Sequence, residues 1–174
     1  QDLISYNNKH NEGNGEQGRD GSNHEESWNC GQEGASSNPN ILRLRQRQTK
    51  NFFVALLCSQ GVPMISMGDE YGHTKYGNNN SWSHDNDLNW FQWNLHKKQA
   101  PLRGFLKNLL LLRRDFPCLH QKQFLTPQTT KWHSEQAFTP NWDSPSLYLG
   151  VSIEDIEQGT ALYLGFNPSH LSIT

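Results

Sequence analysis

The sequence predicts an α/β region followed, beyond about residue 120, by a smaller antiparallel β-domain. Three observations carry that expectation. Between residues 39 and 115 helical periodicity, a short apolar run and helical periodicity again follow one another, and a helix–strand–loop–helix order of this kind belongs to a parallel sheet. The run Val62–Met67 is bounded by Gly61 and Gly68, as a short buried strand would be. After residue 120 the texture changes to short segments rich in Tyr, Leu and Val separated by polar turns.

Taken in order, residues 2–6 (DLISY) suit a helical turn, and residues 7–38 form a long polar loop. Gly13, Gly15 and Gly18 have dinucleotide-fingerprint spacing. No strand precedes them and no apolar helix follows, so a phosphate would have no helix N-terminus to sit on, and they read as loop hinges. Asn38-Pro39 is a helix start, with Asn38 as cap and Pro39 in the first turn. The helix runs to about Gln60, with Phe52, Phe53, Leu56 and Leu57 sharing one face and Gly61 as the stop. Arg43, Arg45, Arg47 and Lys50 read as its solvated face rather than as a phosphate ridge. The strand then leads through Gly68-Asp69-Glu70 into a loop rich in Asn, Gly, His and Trp. Residues 100–115 carry a wide apolar stripe of Leu102, Phe105, Leu106, Leu109, Leu110 and Leu112, with Arg113 and Arg114 near the C-terminal end and Pro117 as the stop. Segments 130–133, 146–153 and 160–167 are the expected strands, the last two paired antiparallel across the turn Glu154–Gly159.

The loop after the strand has residue types that suit a sugar. Asn78, Asn79, Asn80, Asp85, Asn86 and Asp87 offer acceptors, and the amides offer donors too. Trp82, Trp90 and Trp93 offer apolar faces to the C–H side of a pyranose. The same composition also fits a turn-rich surface segment whose tryptophans return to the core.

Several function classes are excluded. A formal charge of −2 and a pI near 6.5 leave no electrostatic case for nucleic acid. With 33% hydrophobic residues and a mean hydropathy of −0.84 the chain is polar, and no apolar run approaches a membrane span. Cys30, Cys58 and Cys118 are widely spaced and odd in number, which reads as reduced thiols and a protein that is not secreted. The eight histidines show no metal-ligand spacing, and the calcium-like start at Asp85 meets Trp90 where Gly belongs and His96 where Glu belongs. No metal and no cofactor is expected. Asp69 and Glu70, as extended neighbours, point to opposite faces and cannot flank one bond. Asn79-Asn80-Ser81 matches a glycosylation acceptor, to which the lack of a secretory signal gives no weight. A chain opening at Gln1 and stopping at Thr174 just after a strand-like segment reads as part of a longer polypeptide.

The words SYNNKHNEGNGE, RDGSNHEESWNCG, SQGVPMISMGDEYGHTKYGNNNSWSHDN and FNPSH, in this order, resemble the isoamylase-type glycogen and starch debranching enzymes of the α-amylase superfamily. The resemblance implies an α/β fold: the C-terminal part of a (β/α)8 TIM barrel over residues 1–120, from after strand 7 to helix 8, and part of an antiparallel β-sandwich over residues 121–174. Residues 2–38 would be the seventh βα-loop, 39–60 the seventh helix, 62–70 the eighth strand, 71–98 its loop and 99–117 the eighth helix. It implies hydrolysis of α-1,6 branch linkages with retention. The family's nucleophilic Asp, general-acid Glu and second Asp lie at the ends of barrel strands 4, 5 and 7, and none of them is in this chain, so catalytic residues here are none.

By the same resemblance Asp85 matches the acid that hydrogen-bonds glucose, with Asn79, Asn80 and His73 as neighbours and Lys9, His10 and Asn11 contributing from the preceding loop. Asp69 would be an internal support holding loop backbone, and His84 stands where many relatives carry Gln. The implied partner is a branched α-glucan such as glycogen, amylopectin or limit dextrin, met by a homo- or hetero-oligomer in a bacterial cytoplasm or plastid stroma. A non-catalytic α-glucan-binding or regulatory subunit of the same fold is the competing reading, and a nucleotide-dependent enzyme resting on Gly13–Gly18 is a third. Two strands' worth of barrel cannot close, which predicts that the isolated chain is marginally stable or aggregates.

Overall fold

The computed structural model describes residues 1–24, 26–143, 147–156 and 158–169, and the chain forms two compact units. The first comprises Gln1–Leu57 with Pro63–Leu110, the second Cys58–Val62 with Leu111–Thr174.

In the first unit a turn at Asp2–Ile4 opens the polar loop that leads to α1, Pro39–Cys58. Asn38 caps α1: its Oδ1 accepts the Asn40 N–H at 2.9 Å and its carbonyl accepts the first intrahelical bond, from Leu42, at 3.0 Å. The helix buries Phe53 and Leu57 against Leu106, with Ile65, Leu102, Phe105 and Leu109 packed around them. The expected four-residue apolar face is corrected to a narrower one carried by Phe53 and Leu57. Phe52 is 51% exposed, because it lies about 100° around the helix from Phe53. Arg45 is also corrected, since it is buried rather than solvated; Arg43, Arg47 and Lys50 are exposed. The other side of this core comes from α3, Ala100–Asp115, which matches the apolar stripe in the sequence.

The expected strand Val62–Met67 is not formed: this segment is irregular, with Val62, Met64 and Met67 97%, 87% and 67% exposed. A strand exists by ladder hydrogen bonds to a neighbour, and among the described residues of this unit there is no other strand to supply them. A second departure is α2, Trp93–Lys98, inside the segment expected to be loop. Aromatic packing holds the segment around α2. The Tyr71 ring lies 4.9 Å edge-on from Phe91, and Phe91 lies 4.5 Å from Trp93.

The second unit is an antiparallel sheet of β1 (Thr130–His133), β2 (Leu149–Asp155) and β3 (Thr160–Phe166), in that order. Thr130 pairs with Ile153, Trp132 with Val151 and Val151 with Leu164. The middle strand starts and ends later than expected, and residue 146 lies outside the described residues. Its end is fixed by Asp155, whose Oδ1 accepts the Gln158 N–H at 3.0 Å and so moves the start of the turn past residue 155. Val151 and Ile153 are buried, as are Cys118 and Leu119 of the turn Pro117–Leu119 packed on β2. Arg113 donates to the carbonyls of Ser59 and Gly61 at 2.8 and 2.5 Å, satisfying chain that follows α1. All three cysteines are free and buried, and burial raises each thiol pKa. Among the described residues no helix is long and apolar enough to cross a membrane.

Candidate functional site: an asparagine-locked pair of loops

The polar loops 7–38 and 71–92 are joined by side-chain amides. Asn11 is fully buried. Its Nδ2 donates to Asn79 Oδ1 at 2.8 Å and to the Asp20 carbonyl at 2.9 Å, while its Oδ1 accepts the Asn79 N–H at 3.1 Å. Asn79 Nδ2 returns to the Ser22 carbonyl at 2.9 Å. An amide presents donors and an acceptor together, so the Asn11 side chain donates to the Asn79 side chain and accepts from its backbone at once. The approach leaves no space for a side chain at Gly21: a Cβ there would lie 2.1 Å from Asn79 Oδ1, and its φ of +71° suits glycine as well.

Asp20 is the second join. Its Oδ2 accepts Asn14 Nδ2 at 2.7 Å and Asn80 Nδ2 at 2.9 Å, bonds that pull its pKa down. Lys9 Nζ donates to the Asp20 carbonyl at 2.7 Å. Asn14 Oδ1 in turn receives Asn78 Nδ2 and pairs with His84 Nε2, both at 2.6 Å. At the loop's start, Asp2 accepts the Lys75 N–H at 2.7 Å and the Thr74 hydroxyl.

Glu33 ties the far end of loop 7–38 to its beginning. Its carboxylate accepts the Asn7 and Asn8 N–H groups at 2.8 and 3.1 Å and Asn29 Nδ2 at 3.0 Å, and pairs with His10 Nε2 at 3.0 Å. Burial pushes this carboxyl upward, but the converging donors outweigh it and bring its pKa down to about 2. Arg45 fixes the loop onto α1. Its guanidinium donates to the carbonyls of Gly34 at 2.7 Å, Asn29 at 2.9 Å and Gln32, a planar fork meeting a ring of carbonyls. That is why it is buried.

Of the residues singled out in the sequence, Asn11, Asn79, Asn80 and Lys9 meet at this junction, and Asn79 and Asn80 line an open concavity of about 610 Å3 with Lys75, Ser81 and Trp82. Trp82 is 80% exposed there. His10 points to Glu33 instead. His73 has both ring nitrogens occupied, by the Tyr71 hydroxyl at 3.0 Å and the Leu88 carbonyl at 2.8 Å. Asp85 is exposed and its Oδ1 accepts Trp90 Nε1 at 2.8 Å. Asp69 Oδ2 accepts the Ser66 N–H at 3.0 Å, and Glu70 holds the Gly68 N–H at 2.9 Å. Sequence reasoning missed Asn14, Asp20, Glu33 and Arg45 as organisers. All four sat in view, but nothing in their spacing marks which backbone groups they meet.

Chemically, the concavity offers carboxamides, a hydroxyl, an ammonium and an indole face, a set suited to a neutral hydroxylated ligand. Among the described residues no group of three or more His, Cys, Asp or Glu is placed to hold a metal.

No family model matches the chain. It is 45% identical over 170 residues to the chloroplastic isoamylase 1 of Oryza sativa subsp. japonica, covering 98% of this chain and 21% of that protein. This chain is an isoamylase homologue. The chloroplastic isoamylase SU1 of Zea mays is 44% identical over 173 residues, covering 99% of this chain and 22% of that protein. A glycogen operon protein GlgX homolog of Mycobacterium tuberculosis is 48% identical over 123 residues, covering 71% of this chain and 17% of that protein. The family resemblance read from the sequence is thereby borne out, and the chain spans about a fifth of the length of its isoamylase relatives. In fold it is similar to the pullulanase of Paenibacillus barengoltzii. The apo structure gives a TM-score of 0.60 at 22% identity, over 78% of this chain and 19% of that one. The D470A mutant complexed with maltotetraose gives 0.59 at 22%, over 77% and 19%.

Proposed function

We propose that this isoamylase homologue supplies substrate-binding loops to an α-1,6-glucan debranching glycoside hydrolase that acts with retention, the catalytic carboxylates lying in polypeptide outside the 174 residues. The observation that carries this reading is the locked loop pair. Side-chain amide hydrogen bonds between residues 11–22 and 79–80 hold Asn79 and Asn80 beside Trp82 around an open concavity, so a glucan meets a surface whose order is already in place. The carboxylates of Asp20, Glu33, Asp69 and Glu70 each serve loop backbone or amide donors, which fits a binding role.

In this reading residues 1–120 contribute the last βα units of a (β/α)8 barrel, and Val62–Met67 becomes its eighth strand once its neighbours are supplied. Residues 121–174 contribute part of the β-sandwich. Asp69 supports the strand end, and Asp85, with His73, Lys9 and His10 nearby in the loops, serves the glucosyl residue beside the cleavage point. The substrate is a branched α-glucan, in a plastid stroma or bacterial cytoplasm, and the assembly is homo- or hetero-oligomeric.

The test is to express the open reading frame from its own start codon and to measure branch release from amylopectin. Release is expected, and Asp85→Ala should lower kcat/KM by about ten- to a hundredfold, the worth of one charged hydrogen bond. Glucan binding without release would replace the hydrolase with a non-catalytic glucan-binding subunit.

A further inference from the structure

Trp82 stands 80% exposed on the lining of the loop concavity, and among the described residues no hydrogen bond or ring contact holds its indole. An aromatic side chain free to wander must be ordered again by each ligand that uses it. Whatever order Trp82 has therefore comes through its backbone. It is the middle residue of the single turn Ser81–Ser83, in which the Ser81 carbonyl accepts the His84 N–H at 3.0 Å.

Asn89 clamps that turn from outside. Its Nδ2 donates to the Ser81 carbonyl and, at 2.7 Å, to the His84 carbonyl, so one amide grips the chain on both sides of Trp82. Its Oδ1 accepts the Ser81 hydroxyl at 2.7 Å. The reversed amide would set Oδ1 against two carbonyl oxygens, so the orientation is fixed. Lys75 reinforces it: the ammonium can only donate, bonds Ser81 Oγ at 3.0 Å, and leaves the Ser81 hydrogen for Asn89. The clamp is itself anchored. The Asn89 N–H donates to the Asn86 carbonyl at 2.9 Å, and the neighbouring Leu88 carbonyl accepts His73 Nε2 at 2.8 Å. Asn89 also lines the concavity, yet both its amide hydrogens and its oxygen are already engaged. What it offers a ligand is the placement of Trp82 rather than a donor of its own.

We propose that Asn89 is a positioning residue for glucan binding, holding the Trp82 indole as a preformed platform by clamping the turn that carries it. The ligand's identity rests on the reading of the loop site as a glucan surface. The clamp rests on the three hydrogen bonds of the Asn89 side chain and on an indole that nothing else holds.

The test is a double-mutant cycle in the polypeptide expressed from its own start codon, with branch release from amylopectin as the readout. Asn89→Asp keeps the size and the acceptor for Ser81 but turns a carboxylate oxygen on the two carbonyls. A platform that binds ground state and transition state alike acts on KM, so Asn89→Asp should raise KM about tenfold and leave kcat within about twofold. Trp82→Ala should raise KM at least as much, and in that background Asn89→Asp should change KM by less than about twofold, because residues that act as a unit are not additive. Ser81→Ala leaves both backbone bonds of the clamp in place and serves where Asn89→Asp fails to fold. It should raise KM about threefold, again only where Trp82 is present. A residue that merely supports the fold would lower the melting temperature and act equally in both backgrounds. If Trp82→Ala raises KM and the Asn89 and Ser81 effects persist undiminished beside it, the positioning role is overturned and the loop reading stands. If Trp82→Ala leaves KM unchanged, the loop reading falls and takes the positioning role with it. Should the polypeptide bind without release, the dissociation constant of maltotetraose replaces KM throughout the same cycle.

Discussion

A carboxamide carries donors and an acceptor in one plane, and Asn11 turns both against Asn79 from a fully buried position. Asn11→Ala would remove both bonds that tie residue 11 to Asn79, while the Asp20 carbonyl keeps Lys9 Nζ. The expected loss is about 1–3 kcal/mol, from two lost hydrogen bonds, measured by urea unfolding followed through tryptophan fluorescence. Asn11→Asp keeps the acceptor for the Asn79 N–H but sets a carboxylate against Asn79 Oδ1, so it should rescue little. Glu33 makes a pH prediction. Its carboxyl is lowered from 4.5 to about 2, so the folded state favours the ionised form more than the unfolded chain does. The stability this contributes is fully present above about pH 4.5 and is lost as pH falls toward 2. Acid titration of near-ultraviolet circular dichroism should show that limb in the parent protein and a flatter one in Glu33→Gln, which keeps the shape and removes the titration. An unchanged limb in the variant would assign the acid sensitivity to other carboxyls.

At the scale of elements, the two long helices were the most legible part of the sequence, and the short α2 was missed. Asn38-Pro39 and Pro117 are local signals that need no partner, and α3 could be read from its apolar stripe with both ends placed. Strands β1 and β3 were legible for a related reason, since their polar turns bracket them. What periodicity cannot supply is the identity of a distant partner. Arg45 looks like part of a charged helix face until the carbonyls of residues 29–34 close over it. The composition of the loop signalled amide-rich recognition, whereas the pairing of residue 11 with residue 79 spans a sequence distance that no local pattern encodes. The narrower apolar face of α1 is open to measurement. Leu57 is fully buried between α1 and α3, and Leu57→Ala should cost about 2–5 kcal/mol. Phe52→Ala, one of the four residues the sequence placed on the same face, should cost about 0.5 kcal/mol or less because its ring is half exposed. Equal losses from the two would restore the wider face.

At the scale of the molecule, the segment Val62–Met67 is the place where sequence and structure disagree most. Its composition is that of a strand buried on both sides, yet Val62 and Met64 are almost wholly exposed. Only Ile65 reaches a core, against Phe53, Leu57 and Leu106. Apolar residues in this condition form an adhesive surface, and the 174-residue chain is expected to self-associate as its concentration rises, which light scattering would register. The same segment decides the barrel reading. The amides of Val62, Met64 and Ile65 exchange at nearly unprotected rates if the segment stays irregular, because none has a ladder partner. In a longer polypeptide that supplies neighbouring strands, each amide that enters a ladder should be protected on the order of a thousandfold, the signature of a strand inside a cooperative unit. Mass-spectrometric hydrogen exchange on peptides covering residues 60–70, compared between the two lengths of chain, makes the measurement directly. Protection confined to the longer form would mean that Val62–Met67 is a strand whose ladder partners come from polypeptide outside this chain. Equal, fast exchange in both would mean that its apolar residues serve a surface contact, and the eighth barrel strand would have to be sought elsewhere in the polypeptide.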